Sequence, residues 1–180
     1  GGAIAFSPTY GNLIVNGSFE TPVTTSYSYY DEDKCSWTLS PSTGTTPGIQ
    51  KNGGAYSSNQ GAYQTPYGNQ TLYLRVGTTA SQTVKVPVAG DYQLVFFQSY
   101  RNNYRAPGLQ VSVNGNTVLD LAGLTCERDF TEVKVNVTLV KGDNTITFAG
   151  VTSPNEQTYS NLFVDNISLI PSVAVTSLSE

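Results

Sequence analysis

Two carboxylates and one polar-aromatic run are the places where this sequence could do chemistry. Glu20 ends the stretch Asn12-Leu-Ile-Val-Asn-Gly-Ser-Phe-Glu20, and Asp165 lies inside Phe163-Val-Asp-Asn-Ile-Ser-Leu-Ile170. Each acid stands where apolar alternation would otherwise prevail. Both stretches read as strands, and the fold is expected to close by laying these two end segments side by side, which brings the acids together. Two carboxylates that meet need a cation, and calcium, which takes roughly six to eight oxygen ligands, suits a carboxylate pair completed by carbonyls. The second place is Gln98-Ser-Tyr-Arg-Asn-Asn-Tyr-Arg105. Sugar C–H faces pack on aromatic rings while sugar hydroxyls pair with amides and guanidinium groups, so this mixture is what a carbohydrate site requires. Gln98, Tyr100, Arg101, Tyr104 and Arg105 are the candidates. Period two puts Gln98 and Tyr100 on one face and Arg101 on the other. Tyr30 and Tyr56 are further candidates because they stand in stretches that read as loops, where binding residues concentrate. Trp37, the single Trp, has two readings, core packing or ligand stacking.

Other chemistries are poorly supplied. The chain has no His, which removes the usual base for a Ser or Cys nucleophile and, with two Cys, leaves a zinc site short of ligands. A glycosidase needs only two carboxylates across a cleft. Glu20 is committed to the cation, Glu32, Glu156 and Glu180 fall in loops or tail, and Glu132 alternates with Val133 on an outer face. The expectation is therefore a non-catalytic protein, with a small jelly-roll glycoside hydrolase as the weaker alternative. The net charge of -4 with 9 basic residues offers no stripe for a phosphate backbone, so no nucleic acid is expected. No apolar run approaches the roughly 20 residues that cross a bilayer.

The elements that must hold these residues are strands. At 180 residues the chain suits one domain, and its 17 Gly and 12 Tyr with only 12% charged residues favour short strands and many turns. Alternation is regular at Leu72, Leu74 and Val76, at Val84, Val86 and Val88, and at Tyr92, Leu94 and Phe96. Leu109, Val111 and Val113 run into Asn114-Gly115, a strong hairpin signal, and Val118 and Leu121 continue beyond it. A second hairpin is expected around Lys141-Gly-Asp-Asn144. The reading is all-β, a jelly-roll sandwich of about 8 to 10 antiparallel strands. Residues 1–11 form a lead-in, residues 12–171 the sandwich and residues 172–180 a linker stub. Gly1-Gly2-Ala3 carries neither Met nor an apolar signal region and reads as the start of a mature or excised segment. Cys35 and Cys126 are compatible with one disulfide made outside the cytoplasm, or with two separate buried thiols.

The two end motifs resemble those of the calcium-stapled, galactose-binding-like β-sandwich of carbohydrate-binding modules in families 4, 9 and 22, which open on Asn-Leu-(apolar)-x-Asn-Gly-x-Phe-Glu and close on Val-Asp-(Asn/Asp)-(apolar). Related bacterial secreted modules are similar at Trp37, Gly48-Ile49, Asn52-Gly53, Ser81-Gln-Thr-Val84, Ala89-Gly-Asp-Tyr92 and Gln98 with Arg101 and Tyr104. The resemblance implies that the carbonyl of Ser18 and carbonyls near Asn52 join Glu20 and Asp165 around a structural calcium remote from ligand. It also gives Arg101 a second reading, as a support for loop carbonyls. The function it implies is binding of polysaccharide or oligosaccharide by a secreted or cell-surface, monomeric module that targets a parent polysaccharide-degrading protein. The alternative is an adhesion or structural module of a bacterial surface protein.

Overall fold

The computed structural model describes residues 11–28, 32–56, 63–101, 105–121, 129–154 and 160–172. In chain order the elements are β1 (Tyr27–Ser28), the short helix α1 (Glu32–Cys35), β2 (Thr38–Ser40), β3 (Gly48–Lys51), β4 (Gln70–Leu74), β5 (Thr79–Val86), β6 (Gly90–Tyr100), β7 (Gly108–Val113), β8 (Asn116–Asp120), β9 (Thr131–Leu139), β10 (Gly142–Val151) and β11 (Leu162–Pro171). They form a six-stranded sheet, β1-β3-β4-β11-β6-β9, and a five-stranded sheet, β2-β5-β10-β7-β8. All pairings between these strands are antiparallel. The two sheets make the expected β-sandwich, with one strand more than the upper expectation because the two-residue β1 counts.

Alternation decides what the sandwich encloses. Leu72 and Leu74, Leu94 and Phe96, Val137 and Leu139, and Ile167 and Leu169 point inward from the larger sheet. They meet Val84 and Val86, Ile146 and Phe148, and Leu109, Val111 and Val113 from the smaller one. Burying each such side chain contributes roughly 1.5–3 kcal/mol, so this layer dominates the stability. Trp37 belongs to the same layer. Its ring centroid lies 5.4 Å from that of Phe19 and 6.0 Å from that of Phe148, and its Nε1 donates to the Asn16 carbonyl at 3.1 Å. With 0% of its surface exposed, Trp37 is a core residue. The stacking role considered for it is thereby corrected.

The two end segments do lie side by side, but the first is not a strand. Residues 12–20 form a chain of turns tied to β11 by hydrogen bonds from Leu13 N to the Leu169 carbonyl at 3.0 Å and from Ile167 N to the Gly17 carbonyl at 2.9 Å. Asn12 does the rest, its Oδ1 accepting from both Ile14 N and Leu169 N. The left-handed φ of Asn16 (52°) and Phe19 (57°) is incompatible with a regular strand. Gly17 is required here, since a Cβ would sit 2.1 Å from the Ile167 carbonyl oxygen. On β11 the register shifts between Asp165 and Ser168, with Asn166 at φ 49°. This bulge lets Val164 and Ile167 both face the core while Asp165 faces outward.

The Asn114-Gly115 turn joins β7 to β8 as expected, with φ of 52° and 83° at its two residues. The expected hairpin at Lys141–Asn144 is not one. β9 pairs with β6 and β10 pairs with β5 and β7, so the chain crosses from one sheet to the other there. Val76 and Val88 likewise lie in turns, not in the strands that precede them.

Candidate functional site

The carboxylate pair forms on the outer side of the larger sheet. Glu20 accepts hydrogen bonds from Asn69 N at 2.7 Å and Gln70 N at 2.9 Å, and Gly68 is needed beside it because a Cβ would come within 2.4 Å of Oε1. Asp165 is fully buried, and its Oδ2 accepts from the Thr65 hydroxyl. Its Oδ1 has no hydrogen-bond donor among the described residues. Burial pushes the Asp165 carboxyl up to about 8; the Thr65 hydroxyl and the Asn166 backbone oppose that rise, and the negative charge of Glu20 adds to it. The charge of Glu20 thus reaches the Asp165 carboxyl. Asn52 clamps Thr65, its Nδ2 donating to the Thr65 carbonyl at 2.9 Å and its Oδ1 accepting from Thr65 N at 2.8 Å. The side chain of Asn52 thus positions Thr65. Ser18 lies between Gly17 and Phe19 in the turns packed on the β11 bulge.

A buried carboxylate with one bare oxygen and a second carboxylate beside it takes up either a proton or a cation. Among the described residues no group of three or more His, Cys, Asp and Glu could hold a metal. Any ion bound here would need backbone and hydroxyl oxygens, which is the chemistry of a hard cation such as calcium. The bare Oδ1 of Asp165 is the atom that would receive it, and Glu20 would contribute the second charge.

Along the same outer face lies a cluster of rings and cations. Leu162 is in register with Leu74 on one side and Tyr100 on the other, so the next residues, Arg75, Asn161 and Arg101, form a row across β4, β11 and β6. Arg75 Nε donates to Asn161 Oδ1 at 2.7 Å, and Arg101 N donates to the Asn161 carbonyl at 2.9 Å. Both guanidinium groups lie against the ring of Tyr56, 5.2 Å and 4.8 Å from its centroid. Tyr56 also meets Tyr27 (4.7 Å) and Tyr73 (5.1 Å, edge-on). Gln50 Oε1 accepts from Tyr56 N at 3.1 Å and Ser26 Oγ accepts from Ala55 N at 3.0 Å, which fixes the turn that carries the ring. Gly48, opposite Tyr73, has no Cβ, and one placed there would meet the Tyr73 hydroxyl at 2.7 Å. Tyr27, Tyr56, Arg75 and Arg101 keep exposed surface, so a sugar ring could reach both apolar faces and donors.

Of the residues expected to bind sugar, the structure brings Tyr56 and Arg101 together. Tyr100 points to the other face, packs against the core and meets Tyr63 at 5.6 Å, and half-buried Gln98 shares its side. The alternation read for this segment holds. Arg105 is exposed, while Tyr30 and Tyr104 lie outside the described residues, as does Cys126, the expected partner of buried Cys35. Arg75, Asn161, Tyr27 and Tyr73 were not singled out. Tyr73 had a signal, as the outward residue between Leu72 and Leu74. Asn161 had none, because its place is set by register with two distant segments.

No protein-family model matches the sequence, and no curated protein matches it. Solved structures do. A family 35 carbohydrate binding module from Clostridium thermocellum is 16% identical, with 82% of this chain and 100% of that one covered at a TM-score of 0.50. TmCBM61, solved in complex with β-1,4-galactotriose, is 17% identical over 89% of this chain and 99% of that one, with a TM-score of 0.53. The CBM22-1 xylan-binding domain of Xyn10C from Paenibacillus barcinonensis is 12% identical over 93% and 100%, with a TM-score of 0.51. All three are carbohydrate-binding modules matched along essentially their whole length. Two packed antiparallel sheets in this arrangement give the chain the β-sandwich fold of carbohydrate-binding modules.

Proposed function

We propose that this chain is a non-catalytic carbohydrate-binding module, which holds a plant or microbial glycan outside the cell and keeps a parent polysaccharide-degrading protein at its substrate. The observation that carries this is the Tyr27, Tyr56, Arg75 and Arg101 cluster on the outer face of the six-stranded sheet, where ring faces and guanidinium donors lie together. Tethering of this kind raises the effective concentration of an attached domain at the polymer without any chemistry of its own. The fold alone would not decide function, since one sandwich serves many. Calcium bound between Glu20 and Asp165 would act as a staple, joining the first segment to β11. Its chemistry is charge neutralisation only, and the chain's part is to present oxygens.

The test is affinity electrophoresis and calorimetry on a panel of plant and microbial polysaccharides, with Tyr56→Ala alongside. Retardation on at least one glycan, weakened at least tenfold (about 1.4 kcal/mol) by Tyr56→Ala, is the expected result. A chain retarded by none of them, or reducing sugar released from any, would overturn the reading.

A further inference from the structure

The backbone of Arg75, just beyond β4, is fixed from several sides. Its N–H donates to Thr78 Oγ1 at 2.9 Å, and its carbonyl accepts from Thr78 N at 3.0 Å and from the Thr78 hydroxyl at 2.8 Å. Gly150 packs on the same peptide, where a Cβ would come within 2.2 Å of the Arg75 carbonyl oxygen. The half-buried side chain still has several rotatable bonds, and Asn161 stops them. Asn161 Oδ1 accepts from Arg75 Nε at 2.7 Å, with the guanidinium carbon 5.2 Å from the Tyr56 ring centroid. In other respects an amide suits this place badly. Asn161 has 0% of its surface exposed, so no ligand reaches it, and its Nδ2 has no acceptor among the described residues. A buried donor left unpaired costs the fold stability, a cost that leucine, of similar shape, would avoid. The Asn161 carbonyl accepts from Arg101 N at 2.9 Å, a contact open to any residue at this position. What the amide supplies and leucine cannot is the acceptor for Arg75.

We propose that Asn161 is a positioning residue of the sugar site: without touching ligand, it holds the Arg75 guanidinium against Tyr56, so that donor and ring are in place before a sugar arrives. This rests on the carbohydrate-binding reading above and adds to it a residue that acts only through Arg75. An arginine immobilised in advance spares the binding step the loss of its rotamers, an advantage of roughly two- to tenfold in affinity.

Asn161→Leu, Asn161→Asp, Arg75→Met and the double variant Arg75→Met with Asn161→Leu are compared with the parent chain. The measurements are thermal melting, the Arg75 Nε–H proton resonance without ligand, and calorimetry. The probes are soluble xylan and β-1,4-galactan, with any other polysaccharide of the panel that retards the parent chain. Asn161→Leu is expected to melt no lower than the parent, because water can take up the half-buried Arg75 Nε. It should lose the protected Nε–H resonance and bind roughly two- to tenfold more weakly. Asn161→Asp, which keeps an oxygen for Arg75 Nε, should restore the resonance and most of the affinity. In the double variant the change at Asn161 should cost nothing beyond Arg75→Met alone, as for two residues that act through one group. Should Asn161→Leu not fold, Asn161→Ala, which removes the acceptor without adding apolar bulk, is read in the same way. Affinity unchanged by loss of the acceptor, a further loss when Arg75 is already absent, or no protected Nε–H in the parent chain overturns the inference and leaves glycan binding standing. A parent chain retarded by no polysaccharide of the panel overturns both.

Discussion

An ionised Asp165 would be a charge with no exposed surface, supported by the Thr65 hydroxyl and the Asn166 backbone and with a second carboxylate close by. Burial holds its carboxyl at about 8, against an ordinary value of 3.8. The folded chain therefore keeps a proton that the unfolded chain has already lost, and unfolding releases it. Without metal, the stability owed to this group is complete below about pH 4 and is lost as pH rises toward 8. Thermal melting in chelator should show a falling melting temperature across that window. Saturating calcium should flatten or reverse the slope, because the ion stabilises the ionised form. Asp165→Asn should remove both the slope and the response to calcium; a slope that survives the substitution would assign it to another group. The carboxylate pair was legible in the sequence because a charge inside an apolar alternation is conspicuous. Trp37 was not, since a lone Trp at a strand start is chemically suited to core and platform alike, and only the enclosure by Phe19 and Phe148 separates them.

Between elements, local signals were readable where one strand turns back on its neighbour and silent where the chain changes sheet. Asn114-Gly115 encodes its hairpin in two left-handed residues. The Gly142 turn, φ 96°, has similar chemistry, but nothing in its residues says which sheet receives the next strand. Asn144 settles the local geometry. It is fully buried, its Nδ2 donates to the Val140 and Gly142 carbonyls, and its Oδ1 accepts from Val140 N and Asn114 Nδ2. One side chain thus ties the crossover to the neighbouring hairpin. Asn144→Ala should cost about 3 kcal/mol in denaturant unfolding, as expected when buried backbone groups lose their partners. A cost near zero would mean that the turn repairs itself. Gly17→Ala, which forces a Cβ onto the Ile167 carbonyl, should destabilise by a similar amount, about 3 kcal/mol, and should loosen the first segment from β11. The strand reading of residues 12–20 failed because Asn12 and Asn16 replace ladder bonds with side-chain ones, a substitution that alternation does not display.

At the scale of the whole molecule, the sandwich was legible from period two and turn residues, while the proposed ligand face was legible only in part. Tyr56 and Arg101 were among the candidates; their convergence with Arg75 and Asn161 depends on strands brought together from separate parts of the sequence. If calcium joins the first segment to β11, chelation should lower the melting temperature of the whole domain cooperatively, and near-identical melts with and without chelator would exclude the staple. The position of β11 carries another consequence. This strand comes late in the chain, yet it lies between β4 and β6 in the middle of the six-stranded sheet. During synthesis, β4 and β6 must wait with open edges until it emerges, so the larger sheet can be completed only once nearly all of the domain has left the ribosome. A chain cut before Leu162 would lack the central strand that unites them, and should be recovered as an aggregation-prone fragment.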